Sequence, residues 1–526
     1  MARGLHFDVH IPEQLNLATY VLEDNIKKGR GDKIAVYYRD ETYTFNELSR
    51  LTNRMGNILK DFDVGFEDRV LLVLQDSPIW LAAWFGTMKI GGVATHAYTY
   101  LKPDDYLYFM NYVRPKLVIA DDTTIEKVRK GAIGSIYPKA ILVAGENLQN
   151  LEEREHDLNV LLESADSQLE TAPTSKNDLA LWNFSGGTTG KPRGVPHMHH
   201  DMLVGFESFK DSVKYTEDDV VLRVPKLFFH YSRDLGMDYA LRSGAAVALF
   251  PERSTAEMVF KMIEKYRPTV LLNVPTMMRA MLQIPKEKRG DMSSLRLCLA
   301  SGEQMSASLY SEYTETFGVE VINTIGSAET YLGYFGDYAG EVLPGSAGKL
   351  FPLVEIKILD KDGKEVKKGE TGILWVRSEA SGWCYHLDHE KSKSTFLGND
   401  WVNTNDLFSE DENGYYWYKG RADDLIKVSG VYVAPMEIEK CLEKHEAVKE
   451  CVVLGLKDED GLVKAKAFIG LKEGFEGSGG LAEEIQNFCR EKMASYKTPR
   501  YIDFFPELPK TGQGKIDKRQ LRERGL

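Results

Sequence analysis

"LALWNFSGGTTGKPRGVPH", residues 179–197, decides the fold. Its first part, LALWNF, has the length and apolar content of a buried strand. Its second part is a Gly/Thr tract whose backbone carries few bulky Cβ groups, so successive N–H groups can turn toward one anion. Lys191 and Arg193 add positive charge. The Walker loop, G-x-x-x-x-G-K-[ST], is the obvious comparison and fails twice. Ser185 stands where its first glycine belongs, and Pro192 stands where a magnesium-binding hydroxyl should follow Lys191. An isolated Gly/Thr tract is as often a plain surface loop, but a strand leading into it favours a phosphate-holding one.

Outward from this loop, short β-rich runs alternate with helix-like segments. RVLLVL (69–74) leads into SPIWLAAWFGTMKIGG (77–92), followed by KLVIADD (116–122). AAVALF (245–250) precedes STAEMVFKMIEKY (254–266), and TVLLNV (269–274) precedes PTMMRAMLQI (275–284). LRLCLASGE (295–303) and VEVINTIGSAE (319–329) close the series. Such alternation predicts an α/β fold of mostly parallel sheets covered by helices. Ligands of such sheets gather beyond the carboxyl ends of the strands. The glycine tract, SGE and GSAE all follow predicted strands and are expected to converge on one cleft. Past residue 340 the texture becomes antiparallel, with VEIKIL (354–359), GILWVR (372–377) and GYYWYKGR (414–421). A small α+β module follows: VKECVVLGL (448–456), KAKAFIGL (464–471) and GLAEEIQNFCREKMA (480–494). The expected division is 1–421 and 422–526, although RADDLIK (421–427) has no Pro/Gly linker signature.

A chain of 526 residues exceeds one hydrophobic core. With 43% hydrophobic and 28% charged residues it has the composition of a soluble globular protein. Its net charge of −13 opposes nucleic-acid binding, which calls for a broad basic surface. The five cysteines, at 298, 384, 441, 451 and 489, show no metal-binding spacing and no disulfide framework. No apolar leader opens the sequence, and no segment reaches the roughly 18 apolar residues of a membrane span. The expectation is a cytoplasmic enzyme without membrane or nucleic-acid partners; monomer and homodimer both stay open.

Four further clusters carry chemistry: NTIGSAET (323–330) with Glu329, LASGEQM (299–305), VNTNDLFSEDENGYYWYKGRADDLIKVSG (402–430) and PKTGQGKIDKRQL (509–521). Each alone reads as an ordinary loop or a solvated tail. Together, and in this order, they resemble the adenylate-forming superfamily of acyl-CoA synthetases, aryl-CoA ligases, carrier-protein adenylation domains and firefly-type luciferases. FSGGTTGKPRG (184–194) resembles its phosphate loop, GSAE (326–329) its G-x-T-E element and NTND (403–406) its T-G-D element. GRADDLIKVSGVYVAPMEIE (420–439) resembles its hinge signature, and PKTGQGKI (509–516) its catalytic-lysine loop. The resemblance spans roughly residues 20 to 521. It is strongest to benzoate-CoA ligases, on KLFFHYSRDLG (226–236), on the stretch 248–282 and on STFLGNDWVNTND (394–406).

What the resemblance implies is specific. ATP and a carboxylic acid combine to an acyl-adenylate with release of pyrophosphate, and coenzyme A then displaces AMP. Ser185, Gly186, Gly187, Thr188, Thr189, Gly190 and Lys191 would cradle the phosphates, with Thr188 and Lys515 acting catalytically in adenylation. Glu329 would hold Mg2+, Asp406 the ribose hydroxyls and Arg421 the ribose or phosphate. Gly302 and Glu303 would line the adenine. Asp423 would be the hinge about which the smaller domain turns, withdrawing Lys515 and bringing Lys427 and Gly430 to the thiol's path. Phe229, His230, Tyr231, Gly326 and Tyr331 would line the acyl pocket, where a histidine serves equally as core, gate or substrate contact. Their bulk suits a compact cyclic acid, aromatic or alicyclic, such as benzoate or cyclohexenecarboxylate.

The chain departs from the family at three places. Ile325 replaces an adenine-stacking tyrosine, Ala328 replaces a phosphate-donating threonine with Ser327 as the nearby hydroxyl, and Asn405 replaces a glycine. Two other readings stand beside the CoA ligase: an adenylation enzyme loading a carrier protein, and a non-catalytic nucleotide-binding homologue. An amino-acid substrate is disfavoured because His230, not a carboxylate, follows Phe229, with Asp234 the reservation. Both half-reactions are reversible, so the direction in the cell stays open.

Overall fold

The computed structural model describes residues 9–146, 148–186, 191–331, 333–398, 401–428, 431–457, 463–494, 497–510 and 516–525. Gly187, Thr188, Thr189, Gly190, Gly430 and Lys515, and the side chain of Lys427, lie outside the described residues. Two compact units form: residues 1–355 with 376–403, and residues 356–375 with 404–526.

In the first unit, continuous apolar runs become strands buried on both faces, as parallel sheets require. A seven-stranded sheet runs Glu155–Asp157, Ala140–Ala144, Leu117–Asp121, Arg69–Val73, Val93–His96, Leu179–Ser185 and Arg193–Met198. All its pairs are parallel except the last. A nine-stranded sheet has a parallel centre, Val321–Gly326, Leu297–Ala300, Val270–Asn273, Val220–Arg223, Ala246–Leu249 and Ile34–Tyr38. Antiparallel strands finish both of its edges. Helices fill the crossovers. Helix Phe45–Asp61 starts at a capping box in which Thr44 and Glu47 satisfy each other's backbone N–H groups. Helix Pro78–Lys89 is buried on every side, consistent with a sequence apolar all round except for Thr87 and Lys89.

The second unit is antiparallel at its start and α+β toward its end. Strand Val448–Lys457 pairs antiparallel with Val463–Leu471, which pairs parallel with Tyr501–Phe505. Helices Pro435–Leu442 and Gly479–Lys492 cover one face through Ile438, Leu442, Ile485 and Cys489. Leu508 and Leu521 cover the other with Phe468 and Phe505. Among the described residues, no helix is long and apolar enough to cross a membrane.

Candidate active site

The strands on either side of the Gly/Thr tract are among the described residues. Leu179–Ser185 and Arg193–Met198 pair antiparallel, with Ser185 opposite Arg193. A Cβ on Gly186 would meet open space, whereas one on Gly194 would lie 2.8 Å from the Trp182 ring. Only glycine lets the two strands close there. The start of the second strand is held from outside. Tyr108 donates to Pro192 O at 2.9 Å, and Gly194 N donates to the Tyr112 hydroxyl at 3.0 Å. The Lys191 ammonium lies 4.8 Å above the Tyr108 ring, and Arg193 pairs with Asp388 at 2.8 Å.

SGE and GSAE leave neighbouring parallel strands of the nine-stranded sheet, paired Cys298 with Val321. Gly302 adopts φ +82°, a left-handed turn that a side chain would strain. Glu303 is held by Thr276, whose backbone N–H and hydroxyl donate to it at 3.1 and 2.7 Å. Ser301 donates to Thr324 O at 2.8 Å, lacing the two strand ends together. Gly326 ends the second strand opposite Gly333. Beyond it, Ser327 Oγ lies 3.3 Å from Thr330 Oγ1, and Ala328 is buried with its carbonyl 2.8 Å from His197 Nε2. Since His197 belongs to the strand Arg193–Met198, this contact joins the strand that follows the Gly/Thr tract to the Glu329 segment. The half-buried Glu329 accepts a hydrogen bond from the Tyr385 hydroxyl at 2.7 Å through Oε1. Burial, and then the Glu329 charge, push the Tyr385 phenol well above its ordinary pKa.

Of the acyl-pocket candidates, Phe229 and His230 are half-buried and Tyr231 and Tyr331 are buried. Phe229 packs in a cluster of rings with Phe228 and Tyr98, centroids 4.9 and 5.5 Å away. The Tyr231 hydroxyl is spent on the backbone, donating to Leu299 O at 2.8 Å and reaching Asn273 O at 3.2 Å. It anchors the segment to two sheet strands. Tyr331 has φ +61°, an unusual backbone for a bulky side chain, and its buried hydroxyl finds no hydrogen-bond partner among the described residues. Asp234 is paired within the fold. Its Oδ1 accepts from Arg233 Nε and Nη2 at 2.9 and 2.6 Å, and both residues are almost fully buried. Burial raises the Asp234 pKa, and the adjacent guanidinium opposes that rise. Arg233 also donates to Asn183 Oδ1 and lies 4.4 Å over the Trp84 ring.

In the second unit, Asp406 and Arg421 are register partners across antiparallel strands, with Arg421 Nη1 3.1 Å from Asp406 Oδ1. Arg421 Nε reaches Asp423 at 3.6 Å. Asn405 takes φ +59°, the left-handed conformation asparagine tolerates and a glycine would supply. Asp424 is engaged by Lys518 at 2.7 Å and Arg522 at 3.4 Å. Tyr385, Tyr112, His197 and Arg233 escaped the sequence reading as site residues. Each makes at least one contact with a residue 50 or more positions away, which leaves no local period to detect.

Known proteins place this arrangement. Residues 22–386 match the family of AMP-binding enzymes, and residues 437–515 match the AMP-binding enzyme C-terminal domain. A benzoate--CoA ligase of Thauera aromatica is 34% identical over 98% of this chain and 97% of its own. A 4-hydroxybenzoate--CoA/benzoate--CoA ligase of Rhodopseudomonas palustris is 33% identical over 97% of this chain and 94% of its own. The crystal structure of an anthranilate CoA ligase in complex with anthranoyl-AMP superposes with TM-score 0.90 at 34% identity, covering 98% of both chains. The chain belongs to the AMP-binding enzyme family and is an AMP-forming acyl-CoA synthetase.

Proposed function

We propose that the substrate is a compact ring-bearing carboxylic acid, aromatic or alicyclic, such as benzoate or cyclohexenecarboxylate. The acid is activated as its adenylate and transferred to coenzyme A. The observation that carries this reading is the placement of the strands flanking the Gly/Thr tract, Glu329 and the ring-lined 229–231 segment in one unit. The aryl-acid ligases among the relatives support it. The locked Arg233–Asp234 pair supports it too, because it leaves Asp234 no role in holding an amino-acid ammonium.

The roles follow from charge. A carboxylate attacking an α-phosphate brings two anions together, so donors and cations must be aimed in advance. Ser185 to Lys191 hold the departing pyrophosphate, Gly302 and Glu303 face the adenine, and Asp406 accepts both ribose hydroxyls with Arg421 beside it. Lys515 is assigned the cancelling of repulsion between the two reacting anions. Turning the 422–526 segment about Asp423 withdraws Lys515 and presents the Lys427–Gly430 stretch for thiolysis. Among the described residues no cluster of three or more His, Cys, Asp or Glu could hold a metal. The single carboxylate of Glu329 fits instead a magnesium ion that arrives on nucleotide phosphates and keeps most of its water. Such an ion, when bound, neutralises charge on the phosphates. Both half-reactions are reversible, and a cell rich in acyl-CoA, AMP and pyrophosphate draws the site toward ATP.

Assaying AMP release with free coenzyme A and no carrier protein tests the reading. Benzoate or a cyclohexene analogue is expected to exceed dodecanoate in kcat/KM by about 100-fold or more, the scale on which a shaped apolar pocket discriminates. A long-chain acid used as well as benzoate would overturn the substrate class, and a requirement for carrier protein would overturn the acceptor. Asp406→Ala is expected to raise the KM for ATP roughly tenfold or more, from loss of charge-assisted bonds to ribose, with the KM for the acid little changed. An unaltered ATP KM would remove Asp406 from the nucleotide site.

A further inference from the structure

Glu329 stands in a turn, half-buried, and a glutamate side chain has several rotamers open to it. The structure supplies a device against this. Tyr385 donates its hydroxyl to Glu329 Oε1 at 2.7 Å, and Gly382 N donates to Glu329 O at 2.7 Å, so one short segment grips both side chain and backbone. That segment is itself fixed at several points. Tyr385 N donates to Ser392 Oγ at 2.9 Å, and its buried ring packs on Phe396 at 5.1 Å. His386 N donates to Gly194 O at 2.9 Å, and the Tyr112 hydroxyl donates to His386 O at 2.6 Å. The strap 382–386 thus runs from the strand that follows the Gly/Thr tract to Glu329.

The choice of donor matters. A lysine or arginine at this place would fix the carboxylate but cancel its charge. A phenol O–H fixes one oxygen and leaves the negative charge, with the second oxygen available to a cation. We infer that Tyr385 is a positioning residue that holds Glu329 in the orientation in which it receives the metal ion of the bound nucleotide. This rests on the reading of Glu329 as that ion's protein ligand.

Manganese binding to the full chain, saturated with α,β-methylene-ATP and followed by electron paramagnetic resonance, tests both layers without turnover. Glu329→Gln is expected to weaken Mn2+ binding strongly and Tyr385→Phe roughly tenfold, the scale of one hydrogen bond to a charged group. The double variant should be no weaker than Glu329→Gln alone, because Tyr385 acts only through Glu329. Affinity for the analogue without metal should stay within about twofold in Tyr385→Phe, which a general loss of structure would not allow. If Glu329→Gln weakens the metal and Tyr385→Phe does not, the positioning role fails while the Glu329 reading stands. If Glu329→Gln leaves Mn2+ binding unchanged, the reading of Glu329 falls and the inference with it.

Discussion

Lys515→Ala is expected to lower acid-dependent exchange of pyrophosphate into ATP by about 10²–10³-fold, while thioester synthesis from supplied acyl-AMP and coenzyme A stays within a few-fold of the unaltered enzyme. The asymmetry follows from electrostatics. Two unit charges of like sign at 4 Å repel by about 4 kcal/mol at an effective dielectric of 20, and a cation between them removes most of that barrier. The first half-reaction has that problem, since carboxylate and α-phosphate are both anionic. The second does not have it in the same form, because the acyl-adenylate carries no free carboxylate. A Lys515→Arg variant should recover only part of the loss, since a planar guanidinium does not replace a compact ammonium. The measurement is labelled pyrophosphate exchange beside thioester formation on the same preparations. Equal loss in both assays would refute the division of labour between half-reactions, and no loss in exchange would remove Lys515 from the chemistry.

Much of the large unit was legible because its strands are buried on both faces. TVLLNV and AAVALF are unbroken apolar runs flanked by helix-period segments, and they became Val270–Asn273 and Ala246–Leu249 of a parallel sheet. The left-handed backbone at residue 405 was legible from residue type, since asparagine tolerates that conformation better than most residues. The grouping of residues 356–375 with the second unit was not, because it depends on pairing between segments distant in sequence and no linker composition marks it. Local backbone was legible where it dictates composition, as in the left-handed turn at Gly302. The site was illegible where one side chain reaches across the fold. Tyr385 meets Glu329 across 56 residues and His197 meets Ala328 across 131, and a single hydrogen bond imposes no pattern on the chain between.

Arg233 is the long-range tie with the largest expected consequence for stability. It starts from the short helix that carries His230 and reaches Asn183, on the strand that leads into the Gly/Thr tract. Its guanidinium also covers Trp84 and pairs with Asp234, all out of contact with solvent. Arg233→Met keeps much of the volume but leaves the Asp234 carboxylate buried without its counter-ion, and Asn183 without a donor. Breaking a buried pair in this one-sided way costs about 3–5 kcal/mol. Replacing both charges, Arg233→Met with Asp234→Asn, should recover more than half of that loss, because most of it is the uncompensated charge rather than the pair's own attraction. The pH dependence has a definite sign. Burial already raises the Asp234 pKa above its unfolded value, and losing the guanidinium raises it further. A group raised in the folded state favours folding when protonated and opposes it as pH rises through the folded pKa. The deficit of Arg233→Met should therefore be greatest at neutral pH and shrink as the solution is acidified toward the ordinary carboxylate range. Urea unfolding followed by tryptophan fluorescence, at neutral pH and at mildly acidic pH, measures it. A single variant as stable as the unaltered chain would mean that the pair is not what holds the acyl segment to the loop strand. A deficit that grew on acidification would mean that Asp234 is not the group left uncompensated.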